Sequence, residues 1–262
     1  MEQNLAIARN MLPRITSQTG KNLLDLPEFC LSQSGNIKTF YAPFDHITTN
    51  AKLAIVGITP GMTQAVNALN AAFDAQKAGH SLRDTLATAK LAASFSGGAI
   101  RNNLVAMLDA IGVNKHLDVP STKELFQPGS TEVQFTSALR YPVFVGGKNY
   151  NGVPNMLATP ILREMIETHL AEEARLLTNA LWLPLGPKAE AAVNHLVARD
   201  ALRASRVLAG MPHPSGANAE RVAVFLGRKA PEAASRKTNP TPLLEAFNRL
   251  TQQIKALEGD AA

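Results

Sequence analysis

The run Lys-Leu-Ala-Ile-Val-Gly at positions 52–57 decides how this chain folds. It is short and apolar, contains β-branched residues, and leads into further glycine and proline residues. Because residues 53–56 are all apolar, a strand here would be buried on both faces, which is typical of the centre of a parallel sheet. The sequence therefore predicts a central parallel strand.

Three further strand candidates follow along the chain, at 133–139, 180–185 and 206–210, with helical patterns between them. Helices are predicted from the spacing of apolar residues and from proline or glycine at their ends. They span residues 63–76, 81–92, 99–111, 160–177, 187–197 and 242–257. This alternation predicts an α/β layered fold. Gly146, Gly147 and residues 149–155 predict a long loop after the second strand, where ligands usually bind.

The length of 262 residues and the hydrophobic fraction of 45% suit one globular domain. We expect a single domain over residues 1–262, with residues 1–50 as a less regular N-terminal embellishment. No apolar run approaches the roughly 20 residues that span a bilayer, and the N-terminus lacks the pattern of a signal peptide, so a cytoplasmic protein is expected. Cys30 is the single cysteine, which excludes an internal disulfide and a four-cysteine metal site. We expect no metal, no cofactor and a monomer.

Positive charge is concentrated in one segment of the chain. The net charge is +5, and residues 199–237 contain eight basic and three acidic residues, a difference that equals the excess of the whole chain. Such a concentration is expected of a surface that receives a polyanion such as nucleic acid. A solvated basic helix face would give the same pattern.

The first predicted strand runs into Gly57-Ile58-Thr59-Pro60-Gly61, and a helix follows. A tight turn of this kind leaves backbone amides exposed, which suits a water, a phosphate or the polar edge of a base. The turn matches neither the Gly-x-Gly-x-x-Gly pattern nor the Walker pattern. An ordinary strand-to-helix turn is the alternative interpretation.

His213 lies between Pro212 and Pro214 in a second chemically distinctive loop. The two prolines restrict the backbone on both sides, so the imidazole is held in one direction. Ser215 and Gly216 then lead into an apolar-periodic run over 217–226, and the free amides at the start of a helix favour negative charge. The loop therefore suits an anionic leaving group, although a purely structural turn remains the alternative.

The two loops in this order resemble those of the uracil-DNA glycosylase superfamily, and the resemblance covers most of residues 40–230. The segments Phe95-Ser96-Gly97-Gly98-Ala99-Ile100, 134–142 and 183–189 are also similar to segments of that family. In the family, the Gly-x-x-Pro-Gly-type turn positions the attacking water, and the His-Pro-Ser-type loop supplies a catalytic histidine and a wedge into the minor groove. Phe95 falls where the family stacks an aromatic ring on the flipped base.

The resemblance implies a three-layer α/β fold, with a central four-stranded parallel sheet flanked by helices and DNA across the carboxyl ends of the strands. It implies a DNA glycosylase that flips a nucleotide out of duplex DNA, cleaves the base-to-sugar bond and leaves an abasic site. His213 and Thr59 are the implied catalytic residues. Beside the resemblance, activation of the water could fall to backbone carbonyls, to the DNA phosphates or to another carboxylate such as Asp45, which lies just before the first strand, where a structural turn is the alternative. The implied base-binding residues are Gly57, Ile58, Pro60, Gly61, Phe95 and Ser137. The implied DNA-binding residues are Ser215, Gly216, Ala217, Asn218, Arg221 and Lys188.

Two positions depart from the family pattern. Thr59 stands where family members have aspartate or asparagine, and threonine cannot act as a general base. Ser137 stands where the family has an asparagine that reads uracil, and one hydroxyl cannot copy a two-point amide contact. We therefore expect a modified or bulky base, such as glucosylated hydroxymethylcytosine of phage DNA in antiviral defence, rather than uracil. The alternatives are a non-catalytic nucleic-acid-binding module, a repair glycosylase for uracil or another deaminated base, and a small-nucleotide α/β enzyme.

Overall fold

The protein is described by a computed structural model over residues 3–16, 22–96 and 99–259; Gly97 and Gly98 of the segment quoted above lie outside these ranges. The strands in the described ranges are β1 (Cys30–Ser34), β2 (Ile37–Phe40), β3 (Leu53–Gly57), β4 (Val133–Ser137), β5 (Val143–Val145), β6 (Lys148–Asn149) and β7 (Leu181–Pro184). The helices are α1 (Ala6–Met11), α2 (Met62–Lys77), α3 (Leu82–Ala93), α4 (Ile100–Ala110), α5 (Val113–His116), α6 (Pro160–Met165), α7 (Ala171–Leu176), α8 (Pro187–Ala198), α9 (Ala219–Phe225) and α10 (Thr241–Gly259).

The centre of the fold is a parallel sheet in the order β4-β3-β7. Leu53 pairs with Val133 on one side and Leu181 on the other, and every residue of β3 is buried. The prediction of a central parallel strand at 52–57 is thus confirmed. Since all three strands run in the same direction, their carboxyl ends lie at one edge of the sheet.

The sheet is flanked by helices on both faces, because successive side chains of a strand point in opposite directions. Ala54 and Val56 belong to a hydrophobic cluster that includes residues of α2, α3 and α8. Leu53 and Ile55 belong to a second cluster, which includes residues of α4, α9 and α10. This arrangement confirms the three-layer α/β class.

The predicted fourth strand at 206–210 forms only a single parallel bridge, between Val207 and Trp182. The Leu208 amide donates to the Trp182 carbonyl at 2.8 Å, and the Gly186 amide donates to the Met211 carbonyl at 2.8 Å. A 3-10 turn ends at Arg206, and Gly210 has a φ of +102°, so too few extended residues remain for a ladder. Within the described residues the parallel sheet therefore has three strands, which corrects the expected count of four.

A second sheet, antiparallel and in the order β1-β2-β5-β6, was not predicted. Residues 1–50, expected to be irregular, contribute β1 and β2, and Ile37 of β2 pairs with Val145 of β5. Gly146 and Gly147 form the turn between β5 and β6 with φ values of +56° and +76°. The predicted long loop therefore begins as a hairpin, which carries Asn149 to the edge of the parallel sheet.

The predicted helices agree with the observed ones to within a few residues, except at 160–177 and 217–226. The first of these has a π-helical turn, Ile166–Leu170, between α6 and α7. In the second, a 3-10 turn at Gly216–Asn218 precedes α9. Among the described residues, no helix has the length and apolarity needed to cross a bilayer.

Candidate active site

A cavity of about 1140 Å³ lies at the carboxyl ends of the parallel strands. Gly57 and Ser137 stand at the ends of β3 and β4, while Gly186 and His213 follow β7 and the bridge at Val207. The other predicted site residues that line the cavity are Ile58, Thr59, Pro60, Gly61, Phe95, Lys188, Ser215, Ala217, Asn218 and Arg221. The topology thus brings together residues of both loops, although they are more than 150 positions apart. Gly216 and Asp45 do not line the cavity.

The turn at 57–61 has fewer free amides than the sequence suggested. The Gly61 amide donates to Oε1 of Gln64 at 3.1 Å, and the Met62 amide donates to Oδ1 of Asn149 at 3.0 Å. Asn149 comes from β6, which the sequence did not predict. These two amides are therefore not free to bind a water or a phosphate, because protein side chains already accept from them.

Thr59 is oriented by the backbone beside it. Its hydroxyl donates to the carbonyl oxygen of Tyr141 at 3.0 Å. Because this bond uses the only proton of the hydroxyl, the oxygen of Thr59 has only lone pairs to offer to a further partner. Thr59 can therefore accept a hydrogen bond from a water in the cavity and orient it.

Phe95 lies beside Gly57 at the inner end of the cavity. Its φ is +48°, in the left-handed region that non-glycine residues rarely adopt. A side chain at position 57 would bring a carbon to 3.6 Å from the Phe95 ring and 3.5 Å from Oγ of Ser137. Gly57 therefore leaves open the space between the aromatic ring and the serine hydroxyl that a side chain would fill.

His213 is held by its own loop, which is in turn bonded to α4. The Ser215 amide donates to Nδ1 at 3.2 Å, so the proton of the neutral imidazole is on Nε2. Burial lowers the pKa of His213 below its ordinary value. The Pro214 carbonyl accepts from Nδ2 of Asn103 at 2.9 Å, which fixes the loop to α4. At neutral pH His213 is thus an uncharged, pre-oriented hydrogen-bond donor.

The segment 215–218 was proposed as the wedge into DNA. Nδ2 of Asn218 donates to Oγ of Ser215 at 3.1 Å, and Nη1 of Arg221 donates to Oδ1 of Asn218 at 2.8 Å. Ser215, Ala217, Asn218 and Arg221 lie along the wall of the cavity. These bonds make the segment a stiff turn at the cavity rim.

The position of Asp45 corrects the expectation that this carboxylate acts on the attacking water. Its side chain is 2% exposed and accepts from the Tyr141 hydroxyl at 2.6 Å. Burial raises its pKa, which disfavours the charged form that a base needs. The phenol of Tyr141 therefore holds Asp45 in the core behind the cavity.

A buried charged wall that the sequence analysis missed closes the cavity on the α3 side. Lys90 and Arg140 line the cavity, and Nζ of Lys90 donates to the His46 carbonyl. Arg140 pairs with Glu173 at 3.0 Å and with Glu172 at 3.2 Å. Burial lowers the pKa of Lys90 to about 8. The sequence contained one indication that Lys90 is buried, because this lysine lies on the apolar face of the predicted helix at 81–92.

The basic segment at 199–237 does not form one surface. Of its eight basic residues, only Arg221 and Lys237 line the cavity. Arg203 and Arg206 donate instead to the carbonyls of Thr178 and Asn179. Among the described residues, no three His, Cys, Asp or Glu side chains are grouped so that they could hold a metal ion.

Two further histidines make the stability of the protein depend on pH. Burial lowers the pKa values of His46 and His169 to about 4 each. Below their ordinary pKa of about 6.5, the unfolded chain binds protons that the folded protein excludes, so stability falls as the pH falls. We expect each histidine to cost about 2 kcal/mol between pH 7 and pH 5.

Urea titrations at the two pH values measure this effect. Asp45 changes the stability in the opposite direction as the pH falls, because its pKa is raised. The prediction therefore concerns the difference in pH dependence between variant and wild type, to which Asp45 contributes equally. His46→Gln should lose about 2 kcal/mol less than wild type over this pH range. An equal loss in His46→Gln and wild type would contradict the buried, neutral state of His46.

Comparison with known proteins identifies the family. The model of the uracil DNA glycosylase superfamily matches residues 44–254. The chain is 36% identical over 217 residues to a Bacillus subtilis (strain 168) protein named "Uncharacterized protein YoxB", covering 82% of this chain and 84% of that protein. No solved structure gives a significant match. The match of the family model spans both loops, the three parallel strands and the cavity between them, and the chain belongs to the uracil DNA glycosylase superfamily.

Proposed function

We propose that this protein is a DNA glycosylase that flips a nucleotide from duplex DNA into the cavity and hydrolyses its N-glycosidic bond. The observation that carries the proposal is the pairing of two oriented groups in one cavity. His213 presents an N–H donor, and Thr59 has only lone pairs to offer. The N–H donor of His213 can stabilise the departing base, and the lone pairs of Thr59 can orient the attacking water.

In the proposed reaction, the bond between C1′ of the sugar and the base breaks, and its electron pair leaves with the base. Nε2–H of His213 donates to the oxygen on which the negative charge develops, and a donor fixed before the reaction stabilises that charge at no cost in reorganisation. Water then bonds to the positively charged C1′ while it donates a hydrogen bond to Thr59. The proton that the water loses passes to the anionic base or to solvent, because threonine cannot hold it.

We further propose that the excised base is modified or bulky, for example glucosylated hydroxymethylcytosine of phage DNA, with a role in antiviral defence. The single hydroxyl of Ser137, which lines the cavity, supports this choice over uracil. Serine offers one contact where an amide offers two, which leaves the edge of uracil incompletely paired. A monomeric cytoplasmic enzyme remains part of the proposal and rests on the sequence alone.

The experiment that tests the proposal uses a panel of duplexes that carry uracil, hypoxanthine, hydroxymethylcytosine or glucosylated hydroxymethylcytosine. Each duplex is incubated with the protein and then treated with alkali, which breaks the strand at an abasic site. We expect strand breaks with the glucosylated base above all. Strongest cleavage with uracil or hypoxanthine would instead make the protein a repair glycosylase.

A second candidate function is a nucleic-acid-binding module of the same fold without catalysis. It is favoured by the residue at position 59, which is a threonine and not a carboxylate, and by the position of Asp45, which is buried and does not line the cavity. Retained DNA binding without strand breaks on any duplex of the panel would support this candidate and end the enzyme proposal.

Thr59→Ala should lower the excision rate by about tenfold, because it removes one neutral hydrogen bond to the attacking water, worth about 1.4 kcal/mol. Thr59→Ser is the matched control, since it keeps the hydroxyl and should stay within about threefold of wild type. The measurement is single-turnover excision on the best duplex of the panel. Equal rates for Thr59→Ala and wild type would remove the hydroxyl from the mechanism.

A further inference from the structure

The cavity extends well beyond the space that a base and its glycosidic bond occupy. The base would lie at the inner end, beside Phe95 and Ser137, and the bond to the sugar beside His213. Past His213 the cavity continues to the start of α10. We call this part the outer lobe; it is lined by Lys237, Asn239, Pro242, Leu243, Ala246 and Arg249.

One side of the outer lobe is fixed directly against the catalytic loop. Nη2 of Arg249 donates to the carbonyl of Ala209 at 3.1 Å. A side-chain carbon at Gly210 would lie 2.7 Å from Nη2 of Arg249 and 2.9 Å from Cβ of Ala246. Because such a carbon would clash, only glycine at position 210 allows α10 to pack this closely against the chain. Pro214 lies four residues further along the sequence. The guanidinium of Arg249 is thereby held at Ala209, which lies three residues before Pro212 at the start of the His213 loop.

The other side is formed by residues 228–240, which we call the C-terminal arm. Glu220, two residues after Asn218, accepts hydrogen bonds from Nζ of Lys229 at 2.6 Å and from Oγ1 of Thr238 at 2.6 Å. It also accepts from the amide and the hydroxyl of Ser235. These bonds lower the pKa of Glu220, so the carboxylate stays charged. The arm is thus anchored at both ends to the element that follows the wedge, and it carries Lys237 and Asn239 to the lobe.

The chemistry of the lobe suits a nucleotide. Lys237 and Arg249 supply positive charge at the rim, Asn239 supplies an amide, and Pro242 and Leu243 supply an apolar surface. Glu245 also lines this part of the cavity. Among the described residues, Lys237 has no ion-pair partner, and the guanidinium of Arg249 contacts a carbonyl rather than a carboxylate. Two cations beside an apolar surface match a phosphate with an adjoining base or sugar.

We propose that the outer lobe binds the nucleotide next to the flipped one in the same DNA strand. Its phosphate contacts Lys237 and Arg249, and its base or sugar packs on Pro242 and Leu243. The proposal rests on the proposed function, because it requires DNA in the cavity. It adds a contact on one flank only, so binding should depend more strongly on the DNA on one side of the target nucleotide than on the other.

The test measures binding of the full chain to a duplex with a tetrahydrofuran abasic-site analogue, which needs no knowledge of the excised base. We expect Lys237→Ala and Arg249→Ala each to weaken binding about tenfold and to lower the slope of log K against log salt by about 1. Arg236→Ala is the matched control, because it removes the same charge from the neighbouring position, which does not line the cavity. It should change affinity less than about twofold.

A second set of duplexes identifies the flank. The strand is shortened up to the target nucleotide on its 5′ side or on its 3′ side, and each duplex is bound to wild type and to Lys237→Ala. On one flank, shortening the strand should weaken DNA binding by wild type about tenfold. It should hardly change DNA binding by Lys237→Ala, since this variant has already lost the contact. Suppose that wild type binds the full duplex. The inference alone would then be overturned if Lys237→Ala and Arg249→Ala bound as tightly as Arg236→Ala, or if shortening the strand on either flank weakened wild type and Lys237→Ala equally. No binding by wild type would overturn the proposed function and the inference with it.

Discussion

His213→Ala lowers the rate of base excision by roughly 100- to 1000-fold, the usual effect of removing a preorganised donor to a developing negative charge. The Ser215 amide fixes Nδ1 as an acceptor, so Nε2 carries the proton that the departing base needs. Alanine has no such donor, and a water that replaces it must first be oriented. Binding of the flanking duplex does not depend on this proton, so we expect affinity for DNA to change little.

The measurement is single-turnover excision together with binding to the abasic-site duplex. His195→Ala is the control, because this histidine lies on α8 and pairs with Glu167 at 2.9 Å, away from the cavity. Since burial lowers the pKa of His213, its neutral form prevails at pH 7 and above, and the contribution of His213 should not decline between pH 7 and pH 8. Excision by His213→Ala at the wild-type rate would exclude the histidine from the mechanism. A larger loss in Thr59→Ala than in His213→Ala would reverse the ranking of the two residues.

Arg140→Met lowers the free energy of unfolding by about 3–5 kcal/mol, the usual cost of leaving a buried charge without its partner. Glu173 has no exposed surface and accepts from Nε and Nη2 of Arg140 at 3.2 Å and 3.0 Å. Methionine fills much of the same volume but supplies neither charge nor donors. Lys90 and Gln134 remain near Glu173, and they do not replace the two lost hydrogen bonds.

Chemical denaturation at pH 7 measures this loss. Arg199→Met is the matched control, because Arg199 lies 3.7 Å from Glu167 on the surface and such exposed pairs contribute little to stability. The double variant Arg140→Met with Glu173→Leu should recover part of the stability, because it removes both charges. A loss below about 1 kcal/mol in Arg140→Met would show that water reaches the pair and that the wall is not sealed.

The site was predictable where one short segment specifies both its structure and its chemistry. Pro212 and Pro214 flank His213, and glycines bound the turn at 57–61, so both loops were found from local sequence. Asn149 and Lys90 were missed for a different reason. Asn149 reaches the turn only through the hairpin of the antiparallel sheet, and Lys90 looks like an ordinary helical lysine until the packing of α3 is known.

The sequence by itself determined the α/β class, the central strand at 52–57 and the two loops at the carboxyl ends, because apolar period and glycine or proline positions act over a few residues. The tertiary structure decided the rest. It reduced 206–210 to one bridge, joined 30–40 to 143–149 in a second sheet, and placed Asp45 behind the cavity instead of in it. Each of these depends on which distant residues meet, and hydrophobic periodicity carries no information about the partner of a strand or the neighbour of a buried charge.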